Sequence, residues 1–244
     1  MSGIPITWLS PSDPPEAFPD VDRALAEPDG LLAAGGDLSS ERLLVAYRRG
    51  IFPWYEEGQP ILWWSPDPRC ILRPESFHVA ERLRRQIRRS PLTVSFNSAF
   101  PAVIRACAAD RAAQKGTWIT PQLLSAYERL HDEGWAHSIE VMDGNELVGG
   151  VYGLCIGRVF FGESMFSAQA NASKIALFAL TKHMLANCMP LIDCQVESPH
   201  LLTLGASMMP RAEFIRTLNK ACKPVLMYRD WPSETIEAAK LLDK

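Results

Sequence analysis

The sequence predicts an α+β protein, and three observations carry that expectation. Strand-like and helix-like segments come in runs rather than in strict alternation. Residues 138–166 hold three apolar stretches separated only by short turns, as consecutive antiparallel strands do. Elsewhere apolar residues recur at helical spacing beside capping residues and prolines. With 244 residues, 47% of them apolar and 22% charged, the chain can bury a core without disulfide or metal staples.

Residues 1–36 are rich in Pro, Asp and Gly and read as a looped piece with few regular elements. Asp37 or Ser39 caps a helix through Leu43, Leu44 and Tyr47, with Gly50 past its end. A Gly-Gln-Pro turn at 58–60 separates 51–55 from 61–69. The Ser65–Pro68 cluster is the predicted boundary between a small N-terminal domain, 1–68, and a larger domain, 69–244. Residues 78–90 form an amphipathic helix with Val79, Leu83 and Ile87 on one face and Arg82, Arg84, Arg85, Arg88 and Arg89 on the other. Further helices are predicted over 98–109 and from Thr120-Pro121, cap then proline, to Gly134. Strands at 138–142, 146–154 and 158–166 precede a helix over 171–187 and a short strand at 191–196. Pro199 opens a helix that stops at Gly205, and 210–222 makes the last one. The tail after Pro224 carries no readable signal.

The net charge of -3 argues against a generally basic nucleic-acid coat, but the distribution is uneven. Residues 69–90 hold seven Arg against Glu75 and Glu81, a local +5, so the remainder carries -8. A basic island on an acidic body suits a polyanion, or is a solvated face. The six Cys are scattered without C-x-x-C, and no metal-ligand spacing appears among Cys and His. Met1–Pro5 does not begin a leader peptide, and no apolar run approaches the ~20 residues of a membrane span. A reducing cytoplasm with free thiols is the expected setting. Dinucleotide, Walker and G-x-S-x-G motifs are missing. The strand glycines Gly149, Gly150, Gly153 and Gly157 read as bulges or close backbone approaches.

Three sets of residues are candidates for chemistry. Asp193 and Gln195 stand two apart on a strand, which puts them on one face, as a proton relay or a hydrogen-bonded core feature. Glu163 sits among apolar residues, where a carboxylate is costly unless it is paired or needed. Tyr47, Trp54, Trp63, Trp64, Trp118 and Tyr127 form either a stacking set for nucleobases or an aromatic core.

Longer motifs add a resemblance. Gly35-Gly36-Asp37-Leu38-Ser39, Tyr47 to Trp54, Trp63 to Arg69, Gly116-Thr117-Trp118-Ile119, His137 to Val141, Leu147 to Gly153, Phe161 to Phe166, Asn171 to Lys174 and Leu191 to Val196 occur in that order. In these the chain resembles the leucyl/phenylalanyl-tRNA–protein transferases from about residue 18 to 222. The resemblance implies a small N-terminal domain before a larger one with an acetyl-CoA-type N-acyltransferase-like (GNAT-like) core. It implies transfer of Leu or Phe, Met less well, from aminoacyl-tRNA to the N-terminal amine of proteins beginning with Arg or Lys, marking them for N-end rule degradation. The ester is already activated, so no cofactor, ATP or metal is expected.

The resemblance further makes Asp193 and Gln195 a relay and puts Glu163 at the same site, its charge suited to a cationic amine or an Arg/Lys side chain. Trp54 and Trp118, with Tyr47 and Tyr127 nearby, would hold the 3′-terminal adenosine. Val151, Phe160 and Ile192 would line the aminoacyl pocket, where each methylene discriminates by only ~1–3 kcal/mol. The arginines of 82–89 would hold the acceptor stem through phosphates. A monomer with no membrane partner is expected. The rival readings are a CoA-dependent N-acyltransferase and a non-catalytic RNA-binding module.

Overall fold

Short apolar segments before residue 65 build a first sheet. It contains β1 (Thr7–Leu9), β2 (Leu31–Gly35), β3 (Phe52–Pro53) and β4 (Leu62–Trp64), in the order β1-β2-β4-β3. The structure is a computed structural model that describes residues 6–115, 118–223 and 225–243, with backbone alone for 111–115. Met1–Pro5 and the Gly116-Thr117 half of its motif lie outside the described residues. The looped reading of 1–36 is corrected here. Leu31–Ala34 are all buried, and a strand covered on both faces shows no alternation to read. Trp63 pins this sheet, fully buried, its indole N–H donating to the Gly35 carbonyl at 2.9 Å.

The helix α1 (Ser40–Arg48) begins where expected, with the Ser39 hydroxyl accepting from the Arg42 N–H at 3.3 Å. It ends before Gly50, whose φ of 74° suits glycine.

The second sheet has eight strands. In spatial order they are β11 (Ser207–Met209), β5 (Arg69–Leu72), β10 (Leu191–Gln195), β9 (Val159–Ser167), β8 (Glu146–Ile156), β7 (Ala136–Asp143), β6 (Thr93–Phe96) and β12 (Ile236–Glu237). The predicted strands are present, while β5, β6, β11 and β12 were not foreseen. β9 and β10 run parallel, joined by α5 (Ala172–Ala186), and the other described pairs in this sheet are antiparallel. Gly153 sits at a register shift between β8 and β9, where a Cβ would meet the Phe161 carbonyl at 2.1 Å.

Helices pack on both faces of this sheet. α3 (Phe100–Lys115) runs well past its expected end, and α4 (Pro121–Asp132) is capped by Thr120 as its sequence dictates. α2 (Glu81–Arg89) starts later than 78, after an Ala80 N-cap with no side-chain cap bond. α6 (Pro199–Thr203) and α7 (Arg211–Ala221) complete the set. One core cluster runs from Leu9, Trp63 and Tyr47 to Phe100, Phe161 and Phe214, so it joins the first sheet to the second. The other gathers Leu72, Leu83, Ile87, Ile175, Leu180 and Ile192.

The buried Glu140 is anchored at the start of α3 by the hydroxyls of Ser95, Ser98 and Ser138 and the N–H groups of Ser98 and Ala99. An anion there meets the positive helix end and satisfies orphan donors. The tail is ordered as well. β12 pairs with β6, Ala238 and Leu241 are buried, and Trp231 lies against His137 at 4.5 Å and His183 at 5.0 Å between ring centroids. Among the described residues no helix is long and apolar enough to cross a membrane.

Candidate active site

Parallel pairing between β9 and β10 runs through Leu191–Val159, Ile192–Phe160 and Asp193–Phe161, then stops. Where the strands part, residues 162–167 and 194–198 become walls of a cleft of about 670 Å³. Its apolar end is lined by Val151, Phe160 and Ile192 with Met165, Leu177 and Leu180. Trp54, 40% exposed, and Trp118 stand edge to face in its wall, with ring centroids 6.3 Å apart at 89°.

Glu163 supplies the carboxylate. Tyr47, on α1, donates to Oε1 at 2.7 Å, and Tyr127, on α4, donates to Oε2 at 2.7 Å. Gln195 Nε2 donates to Oε1 at 2.7 Å. No lysine or arginine pairs with Glu163 among the described residues. Glu163 is partly open to the cleft yet surrounded by protein, and that burial pushes its pKa up to about 7. The three hydrogen bonds pull the other way and do not cancel it, and the nearby Asp193 charge adds to the rise.

Tyr47 and Tyr127 are almost wholly buried, 0% and 2% exposed, and their hydroxyls lie 2.5 Å apart. Their rings therefore offer no face to a nucleobase, and their hydroxyls hold the Glu163 carboxylate. Burial and the Glu163 charge raise both phenols well above the ordinary range, so each stays a donor.

Asp193 and Gln195 do not share a face by strand alternation. A bulge lies between them, and Gln195 takes φ 65°, which turns its amide toward Glu163. Asp193 is 0% exposed and holds Arg69, with Nε to Oδ1 at 2.8 Å and NH2 to Oδ2 at 2.7 Å. Its Oδ1 also accepts the Gln195 backbone N–H at 2.9 Å. Asp193 thus fixes the backbone of the bulge and does not line the cleft.

Sequence reasoning missed Arg69. It was counted in the basic island but lies buried between the Phe52 and Phe214 rings, 4.6 and 4.8 Å from their centroids. Its third contact is the Gly50 carbonyl at 3.1 Å. The signal was present, since Arg69 opens the apolar run Cys70-Ile71-Leu72. Arg73 also leaves the island, 3.9 Å from Glu213. Arg82, Arg84, Arg85, Arg88 and Arg89 are all exposed on α2, with no acidic partner among the described residues. The helix is tied to the cleft rim: Gln86 donates to the Ala170 carbonyl at 3.1 Å and accepts from Asn171 at 2.8 Å.

A larger hollow of about 1210 Å³ lies over the starts of α1 and α4. Its polar groups Ser40, Arg129 and Glu133 hydrogen-bond one another, so it carries no convergent chemistry. Among the described residues no three His, Cys, Asp or Glu are grouped to hold a metal ion.

A parallel strand pair parting over an apolar cleft, with a protonatable carboxylate at its polar end, defines the class: an α+β protein whose cleft is built for acid–base chemistry. Family models described as leucyl/phenylalanyl-tRNA protein transferase and its N-terminal domain match residues 71–219 and 36–67. The leucyl/phenylalanyl-tRNA–protein transferase of Xanthomonas axonopodis pv. citri is 50% identical over 97% of this chain and 98% of its own length. That of Chromohalobacter salexigens is 56% identical over 89% of this chain and 85% of its own. A GCN5-related N-acetyltransferase from Kribbella flavida overlaps 68% of this chain and 60% of its own at a TM-score of 0.34 and 11% identity, too loosely to carry an assignment. The chain belongs to the leucyl/phenylalanyl-tRNA–protein transferase family, and it is an aminoacyltransferase.

Proposed function

We propose that this protein transfers leucine or phenylalanine, and methionine less well, from aminoacyl-tRNA to the N-terminal amine of proteins beginning with Arg or Lys. The modified protein is thereby marked for N-end rule degradation, and the enzyme works as a cytoplasmic monomer. The observation that carries this reading is Glu163, held by two tyrosines and Gln195 at the polar end of an apolar cleft, with no cation beside it.

The apolar end, with Val151, Phe160 and Ile192, takes the aminoacyl side chain. Trp54 and Trp118 hold the terminal adenosine by stacking. The acceptor enters as an ammonium with a reference pKa of about 8 and is drawn to the ionised Glu163. Glu163 takes a proton from the ammonium. After Glu163 releases that proton to water, the freed nitrogen attacks the ester carbonyl, and Glu163 takes the second proton and hands it to the 3′ oxygen of the ribose, which leaves as a hydroxyl. A base with a pKa of about 7 is well matched to that transfer, and general-base help is worth roughly 10²–10⁴ in rate. Gln195 orients Glu163, and Asp193 with Arg69 positions Gln195. Holding both substrates in one cleft supplies much of the rest.

The test mixes the protein with Leu-tRNA carrying labelled leucine and a protein with N-terminal Arg. Label should enter acid-insoluble protein, and acetylating that N-terminus should stop it. Failure of label to transfer removes this function.

The arginines of α2 grip phosphates without reading sequence. Reversing Arg84 and Arg85 to Glu should weaken tRNA binding and make the slope of log K against log salt shallower by about 2. An unchanged slope would mean that this face is only solvated.

A further inference from the structure

The cleft wall holds one cysteine, Cys194, and the reaction above does not use it. Behind it, in β5, lies Cys70, 0% exposed. The register pairs Asp193 with Ile71 and Gln195 with Cys70, so Cys194 is the extra residue of the bulge and faces Cys70 across antiparallel strands. Both side chains belong to the same core cluster, so they project from the same side of the sheet. Cys194 Sγ donates to the Ile192 carbonyl at 4.0 Å, and the two thiols perturb each other's ionisation. Opposed residues on antiparallel strands stand about 4.5–5.5 Å apart between Cα atoms, inside the ~4.4–6.8 Å window for a disulfide. Of the other four thiols, Cys107, Cys155 and Cys222 are buried and only Cys188 is exposed.

We propose that Cys70 and Cys194 form a reactive dithiol that low-molecular-weight disulfides convert to an internal disulfide, switching off the transfer. Cys194, reached through the cleft, attacks one sulfur of the disulfide RSSR as its thiolate. An S–S bond forms to Cys194 and RS⁻ leaves. Cys70 then attacks the Cys194 sulfur as its thiolate and expels the second RS⁻. Two protein thiols are oxidised, one RSSR is reduced to two RSH, and the two protons released by the cysteines end on the two leaving thiolates. The neighbouring Cys194 thiol holds Cys70 below its usual range while Cys70 and burial hold Cys194 well above its own, so the first attack by Cys194 is the slow step and Cys70 is favoured as the resolving nucleophile.

The inactivation follows from position and rests on the function proposed above. Cys194 lies between Asp193, clamped by Arg69, and Gln195, bonded to Glu163. Drawing the two sulfurs from non-bonded separation to a bond of about 2.05 Å pulls the bulge toward β5 and Gln195 away from Glu163.

The experiment incubates the reduced protein with oxidised glutathione and follows intact mass, peptide map and leucine transfer. The expected product is about 2 Da lighter than the reduced chain, with one cross-link joining the peptides of Cys70 and Cys194. Its transfer rate should fall at least tenfold and return with dithiothreitol. Cys70→Ala, which lies outside the cleft, should transfer normally when reduced and stop at one glutathione on Cys194, since no resolving thiol remains. A wild-type product that keeps its glutathione, stays unreacted at Cys194 or cross-links through Cys188 overturns the dithiol. A cross-linked protein with undiminished transfer overturns the switch. Absence of transfer before oxidation would strike the function alone, because the masses read the dithiol independently.

Discussion

Replacing Asp193 with alanine should cost about 3–5 kcal/mol of folding stability, the largest loss from any single change in the site. The reason is Arg69. Its guanidinium is 1% exposed, sandwiched between Phe52 and Phe214, and both oxygens of Asp193 neutralise it. The alanine variant leaves a buried, unpaired cation and an unsupported bulge at Gln195. Urea unfolding measures the loss as a lower midpoint at an unchanged slope. A companion variant separates charge from packing. Removing both partners together, as Arg69→Met with Asp193→Leu, should be less destabilising than Asp193→Ala alone, because no isolated charge remains. A loss below about 1 kcal/mol for Asp193→Ala would mean that Arg69 finds water or another partner. Loss of transfer in this variant therefore reports on a positioning residue, and the circular dichroism of the folded fraction must accompany any rate.

The second large effect falls on Glu163. Glu163→Gln should lower kcat/KM for an Arg-terminated peptide by at least a hundredfold, within the range expected for removing a general base. The fold survives this change, because Tyr127 can accept from the new amide while donating to Tyr47 across their 2.5 Å contact. The pH profile gives the sharper reading. With Glu163 titrating at about 7, kcat/KM should rise through neutral pH as the carboxylate ionises, and this limb should vanish in Glu163→Gln. An unaltered limb in the variant would assign the titration to another group.

Stability runs the opposite way. The folded pKa of about 7 stands above the ordinary carboxyl value of 4.5, so between these values the native state binds more protons than the unfolded chain. Glu163's stabilising contribution is therefore complete below pH 4.5 and is lost as pH rises toward 7. Wild type should lose stability relative to Glu163→Gln across that window. The site thus gains reactivity over the interval in which it gives up stability, as expected of a carboxylate kept in a cleft for chemistry.

Much of the scaffold was legible because its signals are local. Alternation with tight turns reveals β7, β8 and β9, Ser39 and Gly50 bracket α1, and Thr120-Pro121 opens α4. β2 was not legible, since an all-buried strand lacks a period, and neither were β6 and β12, four and two residues long, which gain their ladder only from distant partners. The tail read as featureless because its apolar residues acquire meaning only against β6 and the His137–Trp231 stack.

The site divides along the same line. Local patterning already marks the chemically expensive residues: Glu163 among phenylalanines, an aspartate in a strand, tryptophans near a break, five arginines on one helical face. The partners of each come from long-range packing. Tyr47 reaches Glu163 across 116 residues and Arg69 reaches Asp193 across 124. Such pairings depend on which strands and helices pack together, and local spacing holds no record of that. The bulge that turns Gln195 to Glu163 and sets Cys194 against Cys70 arises from a mismatch between two strands and belongs to neither sequence segment alone.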